Sequence, residues 1–197
     1  MFEGVLIMFG LQNDFLSLGN AEIPGLEAIS QNIKDISGNW KYHLVVNQNH
    51  PADHLSFAAC HPWRKPHQII QIGEKTQYLW PIHCVSGTLG MLNPKWMIDL
   101  HPFVLSPFSG RDGEDFWVFK NDSFQSYLEG NKMNHLYICG FPLDFEIKEN
   151  CIFALKQGYK VTLITDCILS LDREEEARIY AVLHSSGACL QNTGSIK

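Results

Sequence analysis

Six short runs constrain most of what this chain can fold into: 4–9 (GVLIMF), 43–47 (HLVVN), 116–119 (FWVF), 135–139 (HLYIC), 161–165 (VTLIT) and 188–191 (ACLQ). Each is the length of a strand, and most are rich in β-branched or aromatic residues. Segments of helical character fall between most of them. Residues 25–38 carry Leu26, Ile29, Ile33 and Ile36 near helical spacing, and 122–129 reads as a short helix. Residues 146–157 read as a helix stopped by Gly158, and 172–186 as an amphipathic helix with Asp172 at its N-cap and Glu175 three residues on. Strands separated by helices indicate an α/β fold, with a parallel sheet covered on both faces. The stretch 50–115 breaks the pattern. It is rich in Pro, His, Trp and Gly, and so long an irregular segment inside a domain is usually functional.

At 197 residues the chain fits a single domain over 1–197, and 45% hydrophobic with 18% charged residues suffices for a buried core. The net charge of -6, without a Lys/Arg run, argues against nucleic acid or an anionic membrane as the partner. No apolar run approaches a membrane span. The N-terminus shows no basic region followed by a long apolar one, so no signal peptide is read and a cytoplasmic location is expected. Six cysteines stand at 60, 84, 139, 151, 167 and 189, with no CxxC pair. Scattered in this way, they read as small buried hydrophobes in a reducing compartment.

Three stretches carry chemistry. In "NQNHPADHLSF" (47–57), His50 and His54 lie four apart, and His83 follows in "LWPIHCVSGT" (79–88). Neutral imidazoles on strand-end loops suit zinc or iron, although spacing alone leaves an ordinary hydrogen-bonding role open for each. The second stretch, "IMFGLQNDFLSLGNAEIPG" (7–25), puts Gly10 and Asp14 near the same sheet edge. The third is Lys120 in "WVFKND", read at the end of the third strand, where it is either a functional cation or only a solvated one.

Taken together, these stretches resemble the nicotinamidase branch of the isochorismatase-like hydrolase family along nearly the whole chain. "QNDF" followed by "IPG" resembles the opening motif, "HPADHLSF" and "WPIHCVSGT" the two metal loops, and "DSFQSY" (122–127) the aromatic segment after the catalytic lysine. The resemblance implies a three-layer α/β/α fold with a six-stranded parallel sheet. It also implies a Cys–Asp–Lys triad that hydrolyses nicotinamide, and a divalent metal (zinc, iron or manganese) held by an Asp and two or three His.

Against that pattern, Lys120, His50, His54 and His83 are retained and several other positions depart. Gly10 falls where the family has its catalytic Asp, and Asp14 matches the motif's second Asp, which is not the base. Laying Asp144 on the family's Asp puts Glu146 on the nucleophilic Cys, and Gln48 falls on the metal-binding Asp. The family has a cis peptide before the nucleophile turn and takes an oxyanion donor from the following N–H. Here that pair is Phe141–Pro142, for which a cis bond is expected, and Pro142 has no N–H.

A carboxylate is a poor acyl-transfer nucleophile, glycine takes no proton, and a lost oxyanion donor costs about 2.7–4 kcal/mol. The expected function is therefore that of a non-catalytic family member that binds a small nicotinamide-like ligand or a protein. The alternatives are a hydrolase of altered chemistry using Glu146 and Lys120 at a metal, and a residual nicotinamide or pyrazinamide amidase. A nucleophile relocated to Cys84 or Cys151 is disfavoured by position. Metal binding is expected to be weakened or absent through Gln48, and homo-oligomerisation is left open.

Overall fold

The computed structural model describes residues 1–113 and 117–196. Its centre is a six-stranded sheet in which every neighbouring pair is parallel. The strands are β1 (Phe2–Phe9), β2 (Trp40–Val46), β5 (Phe103–Leu105), β6 (His135–Gly140), β7 (Lys160–Ile168) and β8 (Cys189–Gln191), in the spatial order β5-β2-β1-β6-β7-β8. A separate antiparallel hairpin is made by β3 (Ile69–Ile72) and β4 (Lys75–Tyr78).

The central strands are buried on both sides. Val5 to Phe9 are at most 1% exposed, so their side chains alternate between two covered faces rather than between core and solvent. The cover comes from α1 (Leu26–Ser37), α3 (Asp122–Gly130), α4 (Lys148–Lys156) and α5 (Glu176–Ser185), while α2 (Lys95–Ile98) is a single turn. Helix α1 buries Leu26, Ile29, Ile33 and Ile36, the spacing read from the sequence, and lies against β6 and β7.

The order reverses between β1 and β2 on one side and β6 on the other, so the carboxyl ends of β1, β2 and β6 open onto a common crevice. That is where ligands bind in open α/β sheets. The first, second and fourth runs enter that crevice at Gly10, Asn47 and Phe141.

Several expectations are corrected. The run 116–119 is not a strand over its described part: Phe116 lies outside the described residues, Trp117 is loop, and Val118–Lys120 is a 3₁₀ turn. Its apolar residues pack rather than pair. Phe119 lies against Phe124, Phe153 and Tyr159, and Val118 N donates to Asn150 Oδ1 at 3.1 Å. The sixth strand is instead β5, from within the irregular segment. Helix α4 is preceded by a π-helical turn at Leu143–Ile147, and α5 begins at Glu176 rather than at 172. Asp172 still caps, because its Oδ1 accepts from Glu174 N at 2.9 Å and Glu175 N at 3.3 Å, but it closes a turn ahead of the helix.

Candidate functional site

The loop after β1 is pinned first. Gln12 is fully buried, and its amide nitrogen donates to the carbonyls of Gln48 and Met91, each at 2.8 Å. Gln48 N donates back to Gln12 Oε1 at 2.7 Å. Asp14, also buried, accepts from Cys84 N at 2.7 Å, and an added Cβ at Gly90 would lie 2.1 Å from the same carboxylate. A carboxylate satisfied by backbone N–H groups stays in place. Asp14 therefore ties the loop of His83 to the end of β1, which is a structural role.

Gly10, at the carboxyl end of β1, has φ +59. A Cβ there would lie 2.2 Å from the carbonyl oxygen of Phe141, closer than any real contact. The backbone has settled into a form that only glycine takes without strain. The Phe141–Pro142 peptide is cis, as expected.

The π turn after Pro142 carries Glu146 into the crevice, where it is 6% exposed. Gln48 Nε2 donates to Glu146 Oε1 at 2.6 Å, and Gln48 Oε1 lies 3.2 Å from both His50 Nε2 and His83 Nε2. The structure thus brings together Gln48, His50, His83 and Glu146, with Gly10, Phe141 and Pro142 beside them.

Burial favours the neutral form of His50 and His83. Burial lowers His50 from 6.5 to about 3, with the neighbouring His83 and His54 adding to the effect. Burial lowers His83 to about 4, against the opposing pull of the Pro81 carbonyl and Asp14. Their tautomers follow from their other ring nitrogens. Ser109 Oγ lies 2.7 Å from His50 Nδ1 and donates its own hydrogen to the Asn49 carbonyl at 3.1 Å, so it accepts from Nδ1–H and leaves His50 Nε2 as an acceptor 3.2 Å from Gln48 Oε1. His83 Nδ1 lies 2.8 Å from the Pro81 carbonyl, which only accepts. The His83 proton therefore sits on Nδ1, and its Nε2 presents a lone pair to the amide oxygen of Gln48.

Two expected members are not brought in. His54 is buried but turned away, with Nδ1 2.7 Å from Ser56 Oγ and Nε2 2.7 Å from the Gly113 carbonyl. Both its nitrogens are committed, so it is not placed as a metal ligand. Lys120 is exposed, lies over the Trp117 ring at 5.4 Å, and does not line the crevice. It ends a 3₁₀ turn beside α3 instead of a sheet strand.

A divalent metal would be met by two imidazoles and a neutral amide oxygen. Among the described residues, no three His, Cys, Asp or Glu side chains gather into a metal-holding group. Without a carboxylate in the donor set, the residues present do not fit a firmly held divalent cation. The thiols are no better placed for nucleophilic chemistry. Cys84 and Cys151 are both fully buried and pushed well above the usual thiol range, chiefly by burial.

Above this base lies a cavity of about 1440 Å³. Phe15, Trp80 and Phe141 form aromatic walls, with His83 5.2 Å from the Phe15 ring and 5.4 Å from the Trp80 ring. The β3–β4 hairpin supplies one flank through Lys75 to Tyr78. Gln12 was legible within the QNDF motif. Ser109 and the hairpin had no signal, since a lone serine and two short polar runs gain meaning only from what lies across the crevice.

Residues 113–194 match the Isochorismatase domain family. The chain is 30% identical over 184 residues to the nicotinamidase of Saccharomyces cerevisiae, a match covering 82% of this chain and 85% of that protein. Among solved structures, the Acinetobacter baumanii nicotinamidase/pyrazinamidase superposes with a TM-score of 0.84 at 22% identity, covering 98% of this chain and 97% of that one. The yeast nicotinamidase bound to the inhibitor nicotinaldehyde superposes with a TM-score of 0.82 at 26% identity, covering 95% and 99%.

Proposed function

The chain belongs to the isochorismatase-like family, on its nicotinamidase branch, and on that premise we propose that it is a non-catalytic member that binds a small planar ligand without hydrolysing it. The observation that carries this reading is the Gln48–Glu146 hydrogen bond, which occupies the crevice where the family's resemblance expects a metal carboxylate and a thiol. Three further features support it. Gly10 offers no base and its backbone leaves no room for one. Pro142 offers no oxyanion donor. The buried thiols are not thiolates.

The aromatic walls at the base of the cavity suit a planar ring, the class to which the yeast relative's nicotinaldehyde belongs. A hydrolase built on Glu146 with Lys120 gains no support, because Lys120 is exposed and outside the cavity. No described helix is long and apolar enough to cross a membrane.

The test is ammonia release from nicotinamide and pyrazinamide by the purified protein, with and without added zinc or manganese, alongside calorimetric titration of the same compounds. Binding without turnover is the expected result. Turnover well above the uncatalysed rate sinks the reading.

A further inference from the structure

The polar base of the cavity consists largely of hydrogen-bond acceptors. Glu146 brings a carboxylate. His83, 3% exposed, brings the Nε2 lone pair left by its bond to Pro81, and this lone pair lies 3.2 Å from another acceptor, Gln48 Oε1. Two buried acceptors facing each other without a hydrogen between them are unfavourable, and an incoming N–H beside both would relieve them. Asn49, which also lines the cavity, has a buried Oδ1 without a hydrogen-bond partner among the described residues.

Pro142 has no N–H, and the amide nitrogen of Gln48 is engaged by Glu146. The cationic residues that line the cavity belong to the outer segments: Lys75 in the hairpin, Lys148 with Glu149 at 3.6 Å, and Arg173 with Glu176 at 3.4 Å.

We propose that this cavity selects a planar aromatic ligand carrying a cationic N–H donor group, of the amidine or aminopyridinium class, and discriminates against aromatic carboxylates. The inference rests on the non-catalytic reading and adds the ligand's chemistry. The ring stacks between Phe15, Phe141 and Trp80, and the N–H groups reach Glu146 and the His83–Gln48 pair. An aromatic carboxylate in that pose would set its own charge against Glu146 and offer no donor to His83. Charge-assisted hydrogen bonds of this kind are about twice as strong as neutral ones, and a site built for donors penalises ligands that lack them.

The probes are benzamidine, benzamide, benzoate and nicotinate, titrated calorimetrically into chelator-treated protein. Benzamidine is expected to bind at least tenfold more tightly than benzoate or nicotinate, with benzamide between. Glu146→Gln, once shown to fold by circular dichroism, is expected to lose at least tenfold in benzamidine affinity and to narrow the gap to benzoate. Tighter binding of either carboxylate, binding of no probe, or benzamidine affinity unchanged in Glu146→Gln would overturn the inference. So would amidine binding that disappears with chelation, since a metal would then be the recognising group. The wild-type ranking stands as a test even where the variant does not fold. Ammonia release from nicotinamide would instead overturn the non-catalytic reading, a different observable.

Discussion

Gln48 Nε2 lies 2.6 Å from Glu146 Oε1, joining the loop after β2 to the turn after β6 across the end of β1. Two departures from the family pattern, which look independent in the sequence, are one interaction in the fold. An amide opposite a carboxylate is a neutral donor meeting an acceptor, whereas an aspartate in place of Gln48 would put two carboxylates together.

Replacing Gln48 by Asp should therefore create a cation site. With the introduced carboxylate placed between Glu146 and the His50–His83 pair, metal-free Gln48→Asp is expected to melt below wild type through like-charge repulsion. Zinc should restore it, by about 2.7 kcal/mol at a concentration about a hundredfold above Kd. The wild-type protein should show no comparable shift. Differential scanning fluorimetry and metal analysis after dialysis check both arms, and stoichiometric zinc retained by wild type would contradict the account of Gln48.

Restoring the nucleophile alone should fail. Glu146→Cys is expected to release no ammonia from nicotinamide, because Gly10 offers no base and Pro142 no N–H. Adding Gly10→Asp brings a second problem, since the new Cβ would fall 2.2 Å from the Phe141 carbonyl and φ is +59. Left-handed backbone on a non-glycine residue costs about 1–2 kcal/mol before the clash is counted. The double variant is expected to be destabilised in urea titrations and inactive. Robust turnover by Glu146→Cys alone would refute the reading of a dismantled centre.

Stability should fall on mild acidification. In the folded protein His50 is lowered to about 3 and His83 to about 4, from 6.5 when unfolded. Between those values and 6.5 the unfolded chain binds more protons, so it is favoured as the pH drops. The stability is complete above the unfolded value and is lost as the pH falls toward about 4, with a limiting slope of about 1.4 kcal/mol per pH unit for each histidine. Urea midpoints from about pH 8 to about pH 4.5 measure it. His83→Gln should flatten the curve, and a wild-type midpoint unchanged down to about pH 5 would refute the prediction.

Lys120→Ala should leave ligand binding unchanged and cost little stability. Its contact with the Trp117 ring is at an exposed position, where such contacts contribute about 0.5–1 kcal/mol. Calorimetry with the tightest ligand and a urea titration test this. A tenfold loss of affinity would return Lys120 to the site.

The sequence by itself determined the sheet. Five of the six strands were legible as short runs, and β1, β2, β6 and β7 were largely apolar because a strand covered on both faces buries most of its side chains, whereas the edge strand β8 stays exposed to half-buried. It also located Gly10, Gln48, Pro142 and Glu146, whose chemistry is evident from residue type. The edge strand β5 was not legible: three residues beside β2 are too few to show a period, and the longer run at 116–119 competed with them. That run's described residues Trp117 and Phe119 pack against α3 and α4, and an apolar tetrapeptide carries no mark of whether it will pair or pack. Only the tertiary structure decided that Lys120 stands outside the crevice, that His54 turns to Gly113 and Ser56, and that Gln48 faces Glu146. Those relations depend on where side chains 35 to 98 residues apart along the chain come to point, and pairings over such distances are settled by the packing of the loops rather than by any local pattern.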